Sequence, residues 1–90
     1  MARAFREAEL DWARPLSRGD TGAAALLWTL KEAAVKALGV GFHVLDPLAV
    51  EAVRPRPWQG WVQVSVKAER ILPAWARPEG GGWLAIARNY

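Results

Sequence analysis

Between Ala23 and Leu38 alanine and leucine dominate without a break, and Gly39 follows where a helix takes its left-handed cap. Asp20 or Thr21 is the expected N-cap. A helix of this length must bury one side, and a chain of 90 residues has room for only one core. The rest of the sequence is therefore read for what could cover it.

Upstream, Ala4 to Ala13 sets Phe5, Leu10 and Trp12 among Glu7, Glu9 and Asp11, which predicts a short helix stopped by Pro15. Ser17-Arg18-Gly19-Asp20 reads as the loop between the two helices. After Gly39 the period changes. Ala49 to Val53 is a short β-branched run, and Trp61 to Lys67 alternates, with the valines on one face and Gln63, Ser65 and Lys67 on the other. Trp83 to Arg88 is apolar on both faces, as a central or covered strand would be. Pro55, Pro57 and Gly60 separate the first two strands closely enough for a hairpin, whereas Pro73 to Gly82 reads as a longer connection. The expected fold is α+β: two helices packed on a three-stranded, mainly antiparallel sheet, in one domain spanning residues 1–90.

Composition narrows the chemistry. Cysteine is absent, which excludes disulfides, thiolate metal sites and a cysteine nucleophile. Ser17 and Ser65 have no adjacent base, and His43, the sole histidine, reads as a loop residue. The amino terminus lacks the apolar run of a signal peptide, and the longest uncharged apolar stretch, Ala23 to Trp28, is too short to span a membrane, so a cytoplasmic protein is expected. The formal net charge of +3 suits an acidic partner. The basic residues are scattered rather than gathered in a run, so nucleic acid is not the expected partner.

At about 100° per residue, Leu26, Leu27, Leu30, Ala34, Ala37 and Leu38 share the sector that must face the sheet. Trp28, Glu32, Val35 and Lys36 fall roughly opposite, where a purely solvated face needs neither a tryptophan nor a valine. Trp28 and Val35 are thus interface candidates. From spacing alone, Glu32 and Lys36 form an i,i+4 surface ion pair worth a few tenths of a kcal/mol, with Trp28 lying against Trp12 or a strand.

The identities say more than the spacing. Trp28-Thr29-Leu30-Lys31-Glu32-Ala33, then Lys36, then Gly39-Val40-Gly41, resembles the signature helix of the 4′-phosphopantetheinyl transferases: an aromatic, a small residue, Lys-Glu-Ala, a lysine four beyond the glutamate, then Gly-x-Gly. Arg3-Ala4-Phe5-Arg6-Glu7-Ala8-Glu9-Leu10 is similar to the family's preceding Arg-x-Phe…Glu helix. Leu45-Asp46-Pro47, the Trp61–Lys67 strand and Trp83-Leu84-Ala85-Ile86-Ala87 resemble the closing hairpin and last strand of the carboxy-terminal lobe in two-lobed members.

The resemblance implies magnesium-dependent transfer of the phosphopantetheine arm of coenzyme A to a serine of an acyl or peptidyl carrier protein. A pyrophosphate bond breaks while negative charge grows on the leaving 3′,5′-ADP, and a divalent cation and lysines answer that charge. By resemblance Glu32 is a magnesium ligand, Lys31 and Lys36 contact coenzyme A phosphates, Lys36 also serves the catalytic site, and Glu32 or Glu9 is the general base.

One part of the family pattern has no counterpart. Members carry a Gly-x-Asp-x-Glu strand before the Arg-x-Phe segment, and here only Met1-Ala2 precede Arg3. Asp11, Asp20 and Asp46 lie in no such context. Three expectations follow: a piece of a longer enzyme, a half-enzyme completed by a homodimer or a partner lobe, or a degenerate relative kept for binding. In each, activity as a lone chain is expected to be incomplete. The alternative is a non-catalytic basic module for an acidic carrier protein or RNA, with tryptophans as stacking platforms.

Overall fold

The structure is a computed structural model describing residues 5–17, 19–39 and 46–89. Arg3, Val40, Gly41, His43 and Leu45, all of which figure in the expectations above, lie outside the described residues.

Among the described residues two α-helices precede four strands: α1 (Glu7–Ala13), α2 (Asp20–Leu38), β1 (Glu51–Trp58), β2 (Trp61–Lys67), β3 (Ile71–Glu79) and β4 (Gly82–Ala87). Short 3-10 turns at Arg14–Leu16 and Pro47–Ala49 follow the two helices. Pro15 sits within the first of them, so α1 stops where the sequence expects. The N-cap of α2 is Gly19 rather than Asp20 or Thr21, and the Asp20 side chain accepts a 2.7 Å hydrogen bond from Arg14 Nε. Gly39 closes α2 at φ 80°, its N–H donating back to the carbonyls of Val35 and Lys36.

The strands form an antiparallel meander in the order β1-β2-β3-β4. Four strands, not three, is the main correction. Ile71 to Glu79 is a strand despite Pro73 and Pro78. The Arg88 N–H donates to the Pro73 carbonyl, so odd residues of β3 direct their backbone polar groups towards β4. Pro73 lies just past the last pair with β4, Ala74 with Ala87. Pro78 faces β2 beyond its last pair, Val62 with Ala76. Neither missing N–H is one the ladders need. Gln59-Gly60 (φ 50° and 85°) and Gly80-Gly81 (φ 54° and 85°) make the two-residue turns that join β1 to β2 and β3 to β4.

One face of the sheet packs on α2. Leu26, Leu27, Leu30, Ala34 and Val35 of the helix meet Val64, Val66, Leu72, Ala74 and Ala76, all buried. The small Ala74 and Ala76 sit on the strand beneath and let the helix approach. Val35 belongs to this core at 2% exposure, which corrects its expected place on the outward face. Trp28, at 39% exposure, does face out. In β2 the valines point inward, as the alternation predicts. β4 is an edge strand rather than a central or covered one: Trp83, Ala85 and Ala87 turn to the core, whereas Leu84 and Ile86 remain exposed.

Candidate functional site

Lys31 and Glu32 are adjacent on α2 and meet opposite environments. Lys31 lies four residues after Leu27 and three before Ala34, so its stem enters the buried stripe and its side chain is fully buried. Glu32, about 100° further round, is half-buried, and Lys36 is exposed.

The Lys31 ammonium meets Glu9 in the interior. Nζ donates to Glu9 Oε1 at 2.9 Å and to the Pro47 carbonyl at 2.9 Å, and it sits 5.3 Å from the centre of the Phe5 ring. Glu9 is itself only 1% exposed. Its Oε1 also accepts the Arg6 backbone N–H at 2.8 Å, reaching back across the first turn of α1. Its Oε2 accepts the Ala52 N–H at 2.8 Å, and the Ala52 carbonyl accepts from Trp12 Nε1 at 3.3 Å. Two side chains of α1 thereby satisfy the open edge of β1. Arg6 extends the same network, its Nη2 donating to the Leu48 carbonyl at 2.9 Å. The Glu9 carboxylate thus ties α1, α2 and β1 together, and Lys31 and Arg6 add the Pro47 turn. Burial pulls the Lys31 pKa below the ordinary lysine range, and the hydrogen bond and charge of Glu9 oppose that pull.

The ion pair expected between Glu32 and Lys36 is not formed; among the described residues neither has an ion-pair or hydrogen-bond partner. Of the predicted site residues, Glu9 and Lys31 are brought together inside, Glu32 and Lys36 stand on outward turns of the same helix, and Trp28 stands a turn before them. Arg6 and Ala52 complete the buried network without having been singled out. The Arg6 contribution is partly backbone and that of Ala52 wholly so, which side-chain identity does not announce.

A family model for the 4′-phosphopantetheinyl transferase superfamily matches residues 1–79. The chain belongs to that superfamily. The match takes in both helices and the sheet through β3. No curated protein and no solved structure matches the chain. As a superfamily member the protein is tied to coenzyme A-related transferase chemistry. No described helix is long and apolar enough to cross a membrane.

A magnesium site needs oxygen ligands, and the described residues contain no group of three or more histidine, cysteine, aspartate or glutamate side chains. Both Glu9 oxygens are committed to the buried network. Glu32 is the one motif carboxylate directed outward, so these residues do not make a complete magnesium site.

Proposed function

We propose that the outward strip of α2, Glu32 and Lys36, is the coenzyme A phosphate end of a phosphopantetheinyl transfer site. The observation behind the proposal is the splitting of the signature helix: Lys31 is locked inward on Glu9, while Glu32 and Lys36 stay uncommitted among the described residues. Lys31, expected by resemblance to contact coenzyme A phosphates, is buried away from them and acts here by holding Glu32 in its outward register.

In the reaction a carrier-protein serine hydroxyl attacks the phosphorus bearing the pantetheine arm. The new P–O bond forms as the bond to 3′,5′-ADP breaks, and the serine proton passes to a carboxylate. Lys36 answers the charge on the phosphates. Glu32 would be the residue to hold the magnesium that the family resemblance implies, and a divalent ion would further neutralise the phosphate charge. Held at Glu32, it would draw its other ligands from phosphate, water and carboxylates of a pairing partner. Glu32 cannot serve as metal ligand and free base together, and Glu9 is occupied. The lone chain is therefore expected to bind coenzyme A without turnover, with a second copy or partner lobe meeting α2 near Trp28 bringing further carboxylates to the site.

Titration calorimetry tests the binding. Coenzyme A should bind weakly and lose affinity with salt, because lysine holds phosphate as a point charge. Lys36→Ala should weaken binding about tenfold, a loss typical of a charge-assisted hydrogen bond, and Lys67→Ala, on β2, should not. Glu32→Gln should remove any magnesium effect. Mass spectrometry of an apo carrier protein incubated with coenzyme A and magnesium should show no adduct above background. Affinity indifferent to Lys36→Ala, or an adduct formed by the chain alone, would refute this reading.

A further inference from the structure

The face of the sheet turned away from α2 is uncovered in the described structure. Tryptophans from three strands gather on it. The register sets Trp58 opposite Trp61, and Gln63 opposite Trp75, which in turn faces Ile86. Trp58 is 48% exposed, and its ring lies 6.4 Å from that of Trp75 at 53°. The Arg77 guanidinium stacks 5.1 Å from the Trp61 ring centre. Trp58, Trp61, Trp75, Ile86 and Arg88 line a cleft of about 240 Å³. Gln63 and Trp75, paired across β2 and β3, separate this cleft from a second, polar notch, also of about 240 Å³, lined by Arg54, Arg56, Gln63 and Ser65.

The notch is made by a bulge. The β1–β2 register shifts between Val53 and Arg56, and Arg54 sits at φ 57°, a left-handed conformation that costs a branched-off side chain what glycine would avoid. Arg54 has no hydrogen-bond or ion-pair partner among the described residues, so nothing in the fold rewards an arginine there. Arg56 is steered by Gln63, whose Oε1 accepts from its Nε at 3.0 Å. A strained residue kept on a surface notch points to a ligand.

We propose that this face binds single-stranded nucleic acid, with bases stacking on Trp58 and its neighbours and phosphates held by Arg54, Arg56 and Arg88. Every base has a face to stack, and arginines interleaved with aromatic rings match an alternation of bases and phosphates. By register the face carries Arg56, Lys67 and Arg77 against Glu51 and Glu79, and the notch and cleft add Arg54 and Arg88. A second copy would set that positive surface against its like. A carrier protein seated here would have its serine on the wrong side of the sheet from Glu32 and Lys36, so the inference stands apart from the transfer reading. A bilayer takes protruding apolar loops more readily than a face cut by two clefts.

Fluorescence anisotropy of a labelled 12-nucleotide oligouridylate on the full chain tests it. Saturable binding is expected, with quenching of tryptophan emission. Three phosphate contacts at about −0.7 each in the salt slope predict roughly 15- to 20-fold weaker binding between 50 and 200 mM salt. Trp58→Ala should weaken binding about tenfold, the loss of one stacked base. Arg54→Gly should weaken it several-fold while the melting temperature holds or rises, an outcome a merely structural arginine would not give. Arg14→Gln, on the helical side, should bind as the unaltered protein does. No saturable binding below about 100 μM, the weak end of non-specific affinity, would overturn the proposal. So would equal affinity for duplex, or binding unmoved by Trp58→Ala and Arg54→Gly. Stronger, Trp58-dependent binding to anionic phospholipid vesicles or to an acidic carrier protein would reassign the face and overturn it equally.

Discussion

Lys31 carries a charge into the interior, and what it meets there decides the energetics. A buried pair gives little net stability relative to apolar packing, but breaking it by removing one partner strands the other. Lys31→Met leaves Glu9 buried with only the Arg6 and Ala52 N–H groups to answer its charge. A loss of about 3 kcal/mol is expected, at the lower end for such cases, read from urea denaturation at neutral pH; a loss below about 1 kcal/mol, the level of an exposed pair, would deny the network its role. The pH response has the opposite sense. Because burial lowers the folded-state pKa of Lys31 below the ordinary 10.5, the unfolded chain keeps that proton to higher pH. Between the two values the unfolded state binds more protons, so this group's contribution to stability rises with pH through the window and is constant and unfavourable below it. Deprotonation leaves an amine that still donates to Glu9, whereas the methionine does not. Carbon NMR titration of the Lys31 ε position should place it below the ordinary lysine range.

At the scale of elements, α2 and β2 are legible because their patterns are local. Alanine and leucine fill the helix, Gly39 ends it, and the valines of β2 alternate. Gly39→Ala tests the cap: a Cβ there meets nothing within 4 Å, so the cost is the left-handed backbone alone. About 1 kcal/mol of lost stability is expected, measured by chemical denaturation, and less for Gly39→Asn, which tolerates that conformation better. β3 is illegible for a reason of the same kind. Pro73 and Pro78 break a strand only when their nitrogens face a neighbour, and that depends on where β2 and β4 stop. Lys31 is legible in part, since it falls between Leu27 and Ala34 on the apolar stripe. A lysine beside Glu32 in a known signature nonetheless reads as a surface charge until Glu9 is seen across from it.

For the molecule as a whole, the two sides of the sheet are built differently. The helical side carries the transferase signature and can be traced in the sequence, because its residues lie within one run. The tryptophan-lined side cannot, because Trp58, Trp61 and Trp75 become neighbours only through strand register. The proposed pairing of lobes at Trp28 belongs to this scale. Sedimentation should show a dimer at high concentration that Trp28→Ala weakens roughly tenfold or more, as tryptophan anchors do at interfaces. A monomer throughout, or a dimer indifferent to that change, would rule out self-pairing there.

The meander has a further consequence for how the chain is made. Each strand pairs with its neighbour in sequence, yet α2 packs closely on β3 and β4, the later strands of the meander. The helix leaves the ribosome with Leu26, Leu27 and Leu30 uncovered and waits for most of the chain before they can be buried. Nascent chains stopped before β4 should accordingly stay open to protease and to chaperones, while release of a few residues more converts them to the protected form.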